Sequence, residues 1–521
     1  MKYNKFLGLS LAAAVAMSSS GCSTDNFLDV NDSPNNPTSV PASVLFTSTV
    51  VTTAFSNSNE INRITSLLVQ HIAGTANQAL AYDVYNIRGG LDNQWQFEQY
   101  AGALENAQEM IRIANQTNSP AFAGIGKLLK AYNFAMVTDL WGDIPYSQAL
   151  LGLDNLQPRF DKQEDIYKGN EAQGIQSLFD LVKEGLADLD KTSALAPTAA
   201  NDPVYAGDLT KWKKMGNTLL LKLANTVSRR EPALAKTIID QVLANSASYI
   251  SSNSDDFQVA FGTNVGNQNP IYSFNNVNRL DDQMLSQRLL DSMRTKNDPR
   301  LPFFFTTTPT PTATVNTTGT LTTLPGPLVN GVPTPAFLTF TGFQNGNNIA
   351  APSRTAGNRS KYGVYLTGTS GEAPVRLLTN FQTLFIRAES ALTLGTAGDP
   401  QTLYQQAIRA SMTKAGVADA AVTAYFAANP SVANLTGSTQ QKLNKIITQK
   451  WIAWVGNGYE AYNDYRRTSF PRLALAQNAQ GDDPSAIPVR FVYPASELSG
   501  NANNAPNPVP GTNVRVWWDI D

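Results

Sequence analysis

Residues 75–95, TANQALAYDVYNIRGGLDNQW, bring two kinds of chemistry into one short stretch. Tyr82, Tyr85 and Trp95 carry flat rings on which the C–H face of a sugar can stack. Asn77, Gln78 and Arg88 carry the donors and acceptors that sugar hydroxyls need. The segment is the best candidate in the chain for carbohydrate recognition. Trp95 has a second reading, as the first residue packing onto the helix that follows. The loop QNGNN, 344–348, is a weaker candidate, with Gln344 and Asn345 as its hydroxyl-binding groups.

Catalytic chemistry has little to work with. His71 is the only histidine, no nucleophile-elbow motif accompanies it, and a core or capping role suits it better. Glycoside hydrolysis needs only two carboxylates, but nothing singles out a pair among 41 acidic residues. GNGYEA (456–461) matches a permissive dinucleotide fingerprint, whose mechanism needs a strand before it; helical periodicity precedes it instead. GIGKL (124–128) has Leu128 where a phosphate loop needs Ser or Thr. No catalytic residue, cofactor or metal site is expected. A single cysteine, Cys22, excludes a disulfide framework and any zinc site built on several thiolates. Net charge is −2 with 15% charged residues and no basic run, which argues against nucleic acid as a partner.

The surroundings of Cys22 give it a role. Lys2 and Lys5 precede a short apolar run from Phe6 to Met17, then small residues up to Gly21. Residues 1–21 read as an export signal, too short in its apolar part to span a bilayer. The pattern resembles a bacterial lipobox, with Ser19 where leucine is usual, and makes Cys22 the lipid attachment point. Residues 22–40 are polar and read as a tether. No later stretch has 18 consecutive apolar residues, so the lipid is the expected link to a membrane.

The body that positions these residues is mainly helical. Ile125, Leu129, Tyr132, Met136 and Leu140 form one helical stripe, as do Leu443, Ile447, Trp451 and Trp454. Helices are expected over 42–55, 60–75, 97–115, 121–141, 162–190, 209–229, 232–246, 281–293, 376–394, 400–415, 418–428 and 437–455. Asp161 with Glu164 predicts one N-terminus, and Asp399 before Pro400 another. The pair 376–394 and 400–415, joined by a short Gly-bounded turn, looks like a tetratricopeptide-type hairpin. Residues 248–280 and 296–373, including the low-complexity run 306–335, are expected to be loop insertions. The tail VRVWWDI predicts a short strand or an aromatic plug.

Several phrases then occur in order: KAYNFAMVTDLWGDIPYSQAL (130–150), PRFDKQEDIY (158–167), GDLTKWKKMGNTLLLKLA (207–224), NDPRL (297–301), FIRAESAL (385–392), QKWIAWVGNGYEAYNDYRRTSFP (449–471) and VRFVYPASE (489–497). This set resembles the SusD/RagB family. The resemblance implies a tetratricopeptide-like α-superhelix with long irregular loops and little β structure, as one domain over 41–521. It implies an outward-facing outer-membrane lipoprotein that is not an enzyme. It also implies a SusC-like TonB-dependent transporter as partner and a nutrient ligand, commonly an oligosaccharide, alternatively a peptide. A lipid-anchored glycoside hydrolase is the rival reading from another class. Two shared phrases admit both a ligand and a packing role: Trp141 and Tyr146 in GDIPY, and Tyr459, Tyr462 and Tyr465 in YEAYNDYRR. Packing is favoured for both.

Overall fold

The computed structural model describes residues 40–87, 91–308, 321–324, 328–329, 332–333, 338–352 and 357–520. By contacts the chain divides into two units, Met1–Pro41 and Ala42–Asp521. The expected leader, Cys22, nearly all of the tether, Arg88 and most of the run 306–335 lie outside the described residues.

The second unit is mainly helical. Its longer helices are α1 (Ala42–Ser56), α2 (Asn62–Leu68), α3 (Asn77–Asp83), α4 (Glu105–Gln116), α5 (Pro120–Trp141), α6 (Gln163–Lys168), α7 (Leu178–Asp188), α8 (Leu209–Val227), α9 (Pro232–Leu243), α10 (Gln287–Arg294), α11 (Asn380–Thr393), α12 (Pro400–Ala415), α13 (Asp419–Ala428), α14 (Thr439–Ala453) and α15 (Gly458–Thr468). Helix pairs α4/α5, α5/α7, α8/α9 and α11/α12 pack against each other. That is the stacked-hairpin logic of a solenoid, in which each pair buries the face its neighbour leaves open.

Helix α5 is the central rod. Pro120 opens it at the first-turn position, where a missing N–H has no cost, and Gly142 closes it at φ +84°. The stripe from Ile125 to Leu140 is wholly buried. GIGKL has a packing role here: a Cβ on Gly124 would lie 2.6 Å from the Gly185 carbonyl of α7, so glycine lets the two helices approach. Asp399 caps α12 as expected, its carboxylate accepting from the Thr402 N–H at 2.7 Å.

Several boundaries differ from the sequence reading. The expected helix 60–75 ends at Leu68 and becomes a strand, Ile72–Gly74, paired antiparallel with Gln283–Leu285. That second strand also takes the start of the expected helix 281–293, which is left as α10. The expected helix 162–190 divides into α6 and α7 around an antiparallel bridge between Asn170 and Ile175. Asp161 is not the N-cap of α6; Lys162 is, because Asp161 sits in a two-residue strand pair and accepts from the Ser147 N–H at 2.6 Å. Both loop insertions are pinned by short strands: Phe257–Val259 pairs with Val375–Leu378, and Leu321–Leu324 with Leu338–Thr341.

A buried polar network joins the centre. Asp139 of α5 accepts from Tyr167 Oη at 2.6 Å, Tyr459 Oη at 2.8 Å, Asn463 Nδ2 at 2.7 Å and Trp518 Nε1 at 2.9 Å. Arg467 pairs with Glu389 and Asp464, and Lys450 with Asp464, all buried. The phrase YEAYNDYRR is thus mostly interior, and the tail VRVWWDI ends as a plug with Trp518 fully buried. Trp141 is fully buried too, its Nε1 donating to the Val492 carbonyl at 2.8 Å. His71 is a core residue: Nε2 lies 2.9 Å from the Trp451 carbonyl, and burial holds its pKa down to about 3.

Candidate functional site

The segment 75–95 is not a continuous loop; it contains α3. Its residues fall into two groups. Tyr82 and Tyr85 are interior, 3% and 2% exposed. Tyr82 Oη donates to Glu60 Oε1 at 2.6 Å, and Tyr85 Oη accepts from the Ala476 N–H at 2.8 Å. Neither ring presents a face to solvent as the sequence reading expected: α3 turns Tyr82 towards the body, and the turn after it, with Tyr85 at φ +69°, buries Tyr85. Asn345 is likewise committed internally. Its Nδ2 donates to Asp83 Oδ1 at 2.6 Å and to the Ile72 carbonyl at 2.8 Å, while its Oδ1 accepts from Ser286 Oγ at 2.6 Å. Burial pushes the Asp83 carboxyl up to about 7, with the donors Asn345 and Gly346 partly offsetting it. Asn77, Gln78 and Gln344 remain at the surface. Asn77 donates to Asp282 Oδ1 at 2.8 Å, and Gln78 lies 3.3 Å from Glu60 Oε1.

Trp95 goes elsewhere. It stands near the start of a π-helical segment, Asn93–Leu104, against which α1 packs. Its ring packs against Trp141 at 5.3 Å and Tyr100 at 4.9 Å, and its Nε1 donates to Glu497 Oε2 at 3.2 Å. Trp95 packs and is 3% exposed, as buried as Tyr82; it is also among the residues that line an open groove of about 500 Å³. That volume falls within the range usual for small-ligand sites, about 300–1,000 Å³.

Three elements build the groove. The π-helical segment contributes Gln96 and Tyr100, the turn after GDIPY contributes Leu151, Asn155 and Leu156, and the helix α16 (Ala495–Gly500) contributes Ser496 and Glu497. Tyr100 is fixed by its hydroxyl, which donates to the Pro145 carbonyl at 2.7 Å. The rim is apolar: Leu151 and Leu156 line it and are 47% and 72% exposed on either side of the turn Gly152–Asp154. Glu105 also lines the groove, with a carboxyl raised by partial burial and by Glu109. Among the described residues, no Lys or Arg lines the groove. Its chemistry therefore suits a ligand with apolar faces and hydroxyls. Except for Trp95, these residues were not singled out by sequence; the available signal was LLGLDNL (150–156), four leucines in a stretch too short for a buried helix.

Among the described residues, no three His, Cys, Asp or Glu side chains gather as metal ligands, and no helix is long and apolar enough to cross a membrane.

With fold and groove in place, comparison with known proteins identifies the class. Residues 34–494 match the SusD-like family described as "Starch-binding associating with outer membrane", and the chain belongs to that family. No curated protein sequence matches it. Among solved structures, a chitin-binding protein is 23% identical with a TM-score of 0.73, covering 92% of this chain and 99% of its own. A SusD homolog from Bacteroides uniformis is 24% identical with a TM-score of 0.72, covering 93% and 100%. A chitin-binding SusD homolog from Flavobacterium johnsoniae is 23% identical with a TM-score of 0.71, covering 92% and 97%. At such identities these structures establish the shared fold.

Proposed function

We propose that this chain is a non-enzymatic, outward-facing outer-membrane lipoprotein, held through Cys22, that binds an oligosaccharide and passes it to a SusC-like TonB-dependent transporter. The observation that carries the reading is the Trp95–Tyr100 groove on a chain of the SusD-like family. Sugar rings are amphiphilic: their C–H faces pack on Tyr100 and the leucine rim, while Gln96, Asn155, Ser496 and Glu497 meet their hydroxyls. The two relatives named as chitin-binding make chitin oligosaccharides a first probe beside maltohexaose.

Calorimetric titration of the mature protein with chitin hexasaccharide, maltohexaose and a short peptide tests the ligand class. Saturable binding of a sugar supports the reading, binding of the peptide alone replaces it, and release of smaller sugars would indicate a hydrolase. The anchor is tested separately. Cys22→Ala should move the protein from the membrane fraction to the soluble fraction; retention in the membrane would remove the lipid from the account.

A further inference from the structure

The charges around the groove are all of one sign. Two carboxylates line it: Glu105, just past the π-helical segment, and Glu497 on α16. Glu105 is exposed and Glu497 half-buried. Glu497 is also held in place, its Oε2 accepting from Trp95 Nε1 at 3.2 Å and its Oε1 from Asn501 Nδ2 at 3.0 Å. A carboxylate offers about four lone-pair sites, so Glu497 keeps capacity for a further donor. A third carboxylate, Asp92, backs Ser496 of the same wall and accepts from its N–H at 2.9 Å. Hydrogen bonds from the Ser496 side chain and N–H hold the Asp92 carboxyl below the usual range.

Cations beside the groove are engaged within the chain. Lys130, whose charge is felt at Glu105, donates from Nζ to Gln108 Oε1 at 2.7 Å. Arg159, next to Pro158 of the lining, pairs with Asp161 Oδ1 at 2.6 Å. A cleft lined by one sign of charge concentrates ligands of the other sign. An ammonium in this groove is drawn to the carboxylates, and over the Tyr100 ring it gains a cation–π attraction as well. A sugar carboxylate or sulfate meets like charge and no cation to pair with.

We propose that the groove selects glycans by charge: it prefers amino sugars, whose protonated amine donates to Glu497 within the field of Glu105, over neutral sugars, and it rejects acidic ones. The inference rests on the glycan-binding reading and names the sugar class for that same groove.

Calorimetric titration of the mature protein at low ionic strength tests it, with chitosan tetrasaccharide, cellotetraose and a glucuronate tetrasaccharide. These share a β-1,4 backbone and carry, respectively, an ammonium, a hydroxyl and a carboxylate. Maltohexaose and chitin hexasaccharide serve as further neutral probes. The chitosan sugar should bind about fivefold tighter than the best neutral sugar, the size of one partly exposed ion pair, and the glucuronate about fivefold weaker. High salt should close both gaps. Glu497→Gln and Glu105→Gln should each narrow the preference for chitosan. Melting temperatures decide whether each variant is folded, and if Glu497→Gln is not, Glu105→Gln carries the test. A neutral sugar that binds as tightly as chitosan, a glucuronate that binds as tightly as cellotetraose, or a preference unchanged in the folded variants overturns charge selection and leaves the glycan reading intact. Absence of binding by every sugar overturns the glycan reading and the charge selection with it.

Discussion

Helix α15 and the π-helical segment Asn93–Leu104 both set aromatic rings among polar side chains, yet they do opposite things. In α15, Tyr459 and Tyr462 are fully buried, and their hydroxyls donate to Asp139 and to the Pro488 carbonyl. Arg466 and Arg467 are buried beside them, bonded to backbone carbonyls and carboxylates. In Asn93–Leu104, Tyr100 stays half-buried at a groove and Phe97 is open. An aromatic-polar pattern therefore does not by itself mark a binding face. What separates the two is burial: the Tyr459 and Tyr462 rings are shut inside the body, whereas Phe97 stands 61% exposed.

The largest effect that tests this contrast is at Asp139. Asp139→Ala leaves four buried donors without their acceptor and should cost about 3–5 kcal/mol, read by chemical denaturation. A loss under about 1 kcal/mol would mean that the network is peripheral to the scaffold. A smaller effect concerns Asp83. Its carboxyl keeps its proton up to about pH 7 in the fold but releases it near 3.8 when unfolded. The folded state thus binds more protons between those values, and stability falls as pH rises through them. His71 acts in the other direction, since a neutral buried imidazole favours unfolding as pH falls below 6.5. Comparing wild type with Asp83→Asn isolates the carboxyl: the variant should show a flatter decline in stability between pH 4 and 7, and identical slopes would refute the shift. The smallest effect on stability belongs to the groove. Leu151→Ser/Leu156→Ser should change unfolding free energy by less than about 0.5 kcal/mol per site while abolishing sugar binding. A large loss of stability would show that the rim is part of the scaffold.

The scaffold was legible in the sequence where periodicity and capping agreed. The stripe from Ile125 to Leu140, the Asp399–Pro400 cap and the hairpin of α11 and α12 all follow from local rules. The packing role favoured for GDIPY and YEAYNDYRR was legible too: both phrases are largely interior. The candidate site was less legible. Tyr82 and Trp95 have the same sequence credentials, but which way each ring points depends on α3 and on a π-helical turn that no simple period predicts. The leucines of 150–156 carry no helical period to place them, and the turn Gly152–Asp154 leaves Leu151 and Leu156 exposed at the groove.

Trp518 carries a consequence for assembly order. A helical solenoid ordinarily closes repeat by repeat, through contacts between sequence neighbours. Here the carboxylate at the centre waits for an indole 379 positions further along the chain. Contacts of that span slow folding, since the intervening chain must be gathered before they form. During folding the network around Asp139 is therefore complete only once Trp518 arrives, and a chain stopped short of Trp518 would leave Oδ1 of that carboxylate with Tyr167 as its remaining donor.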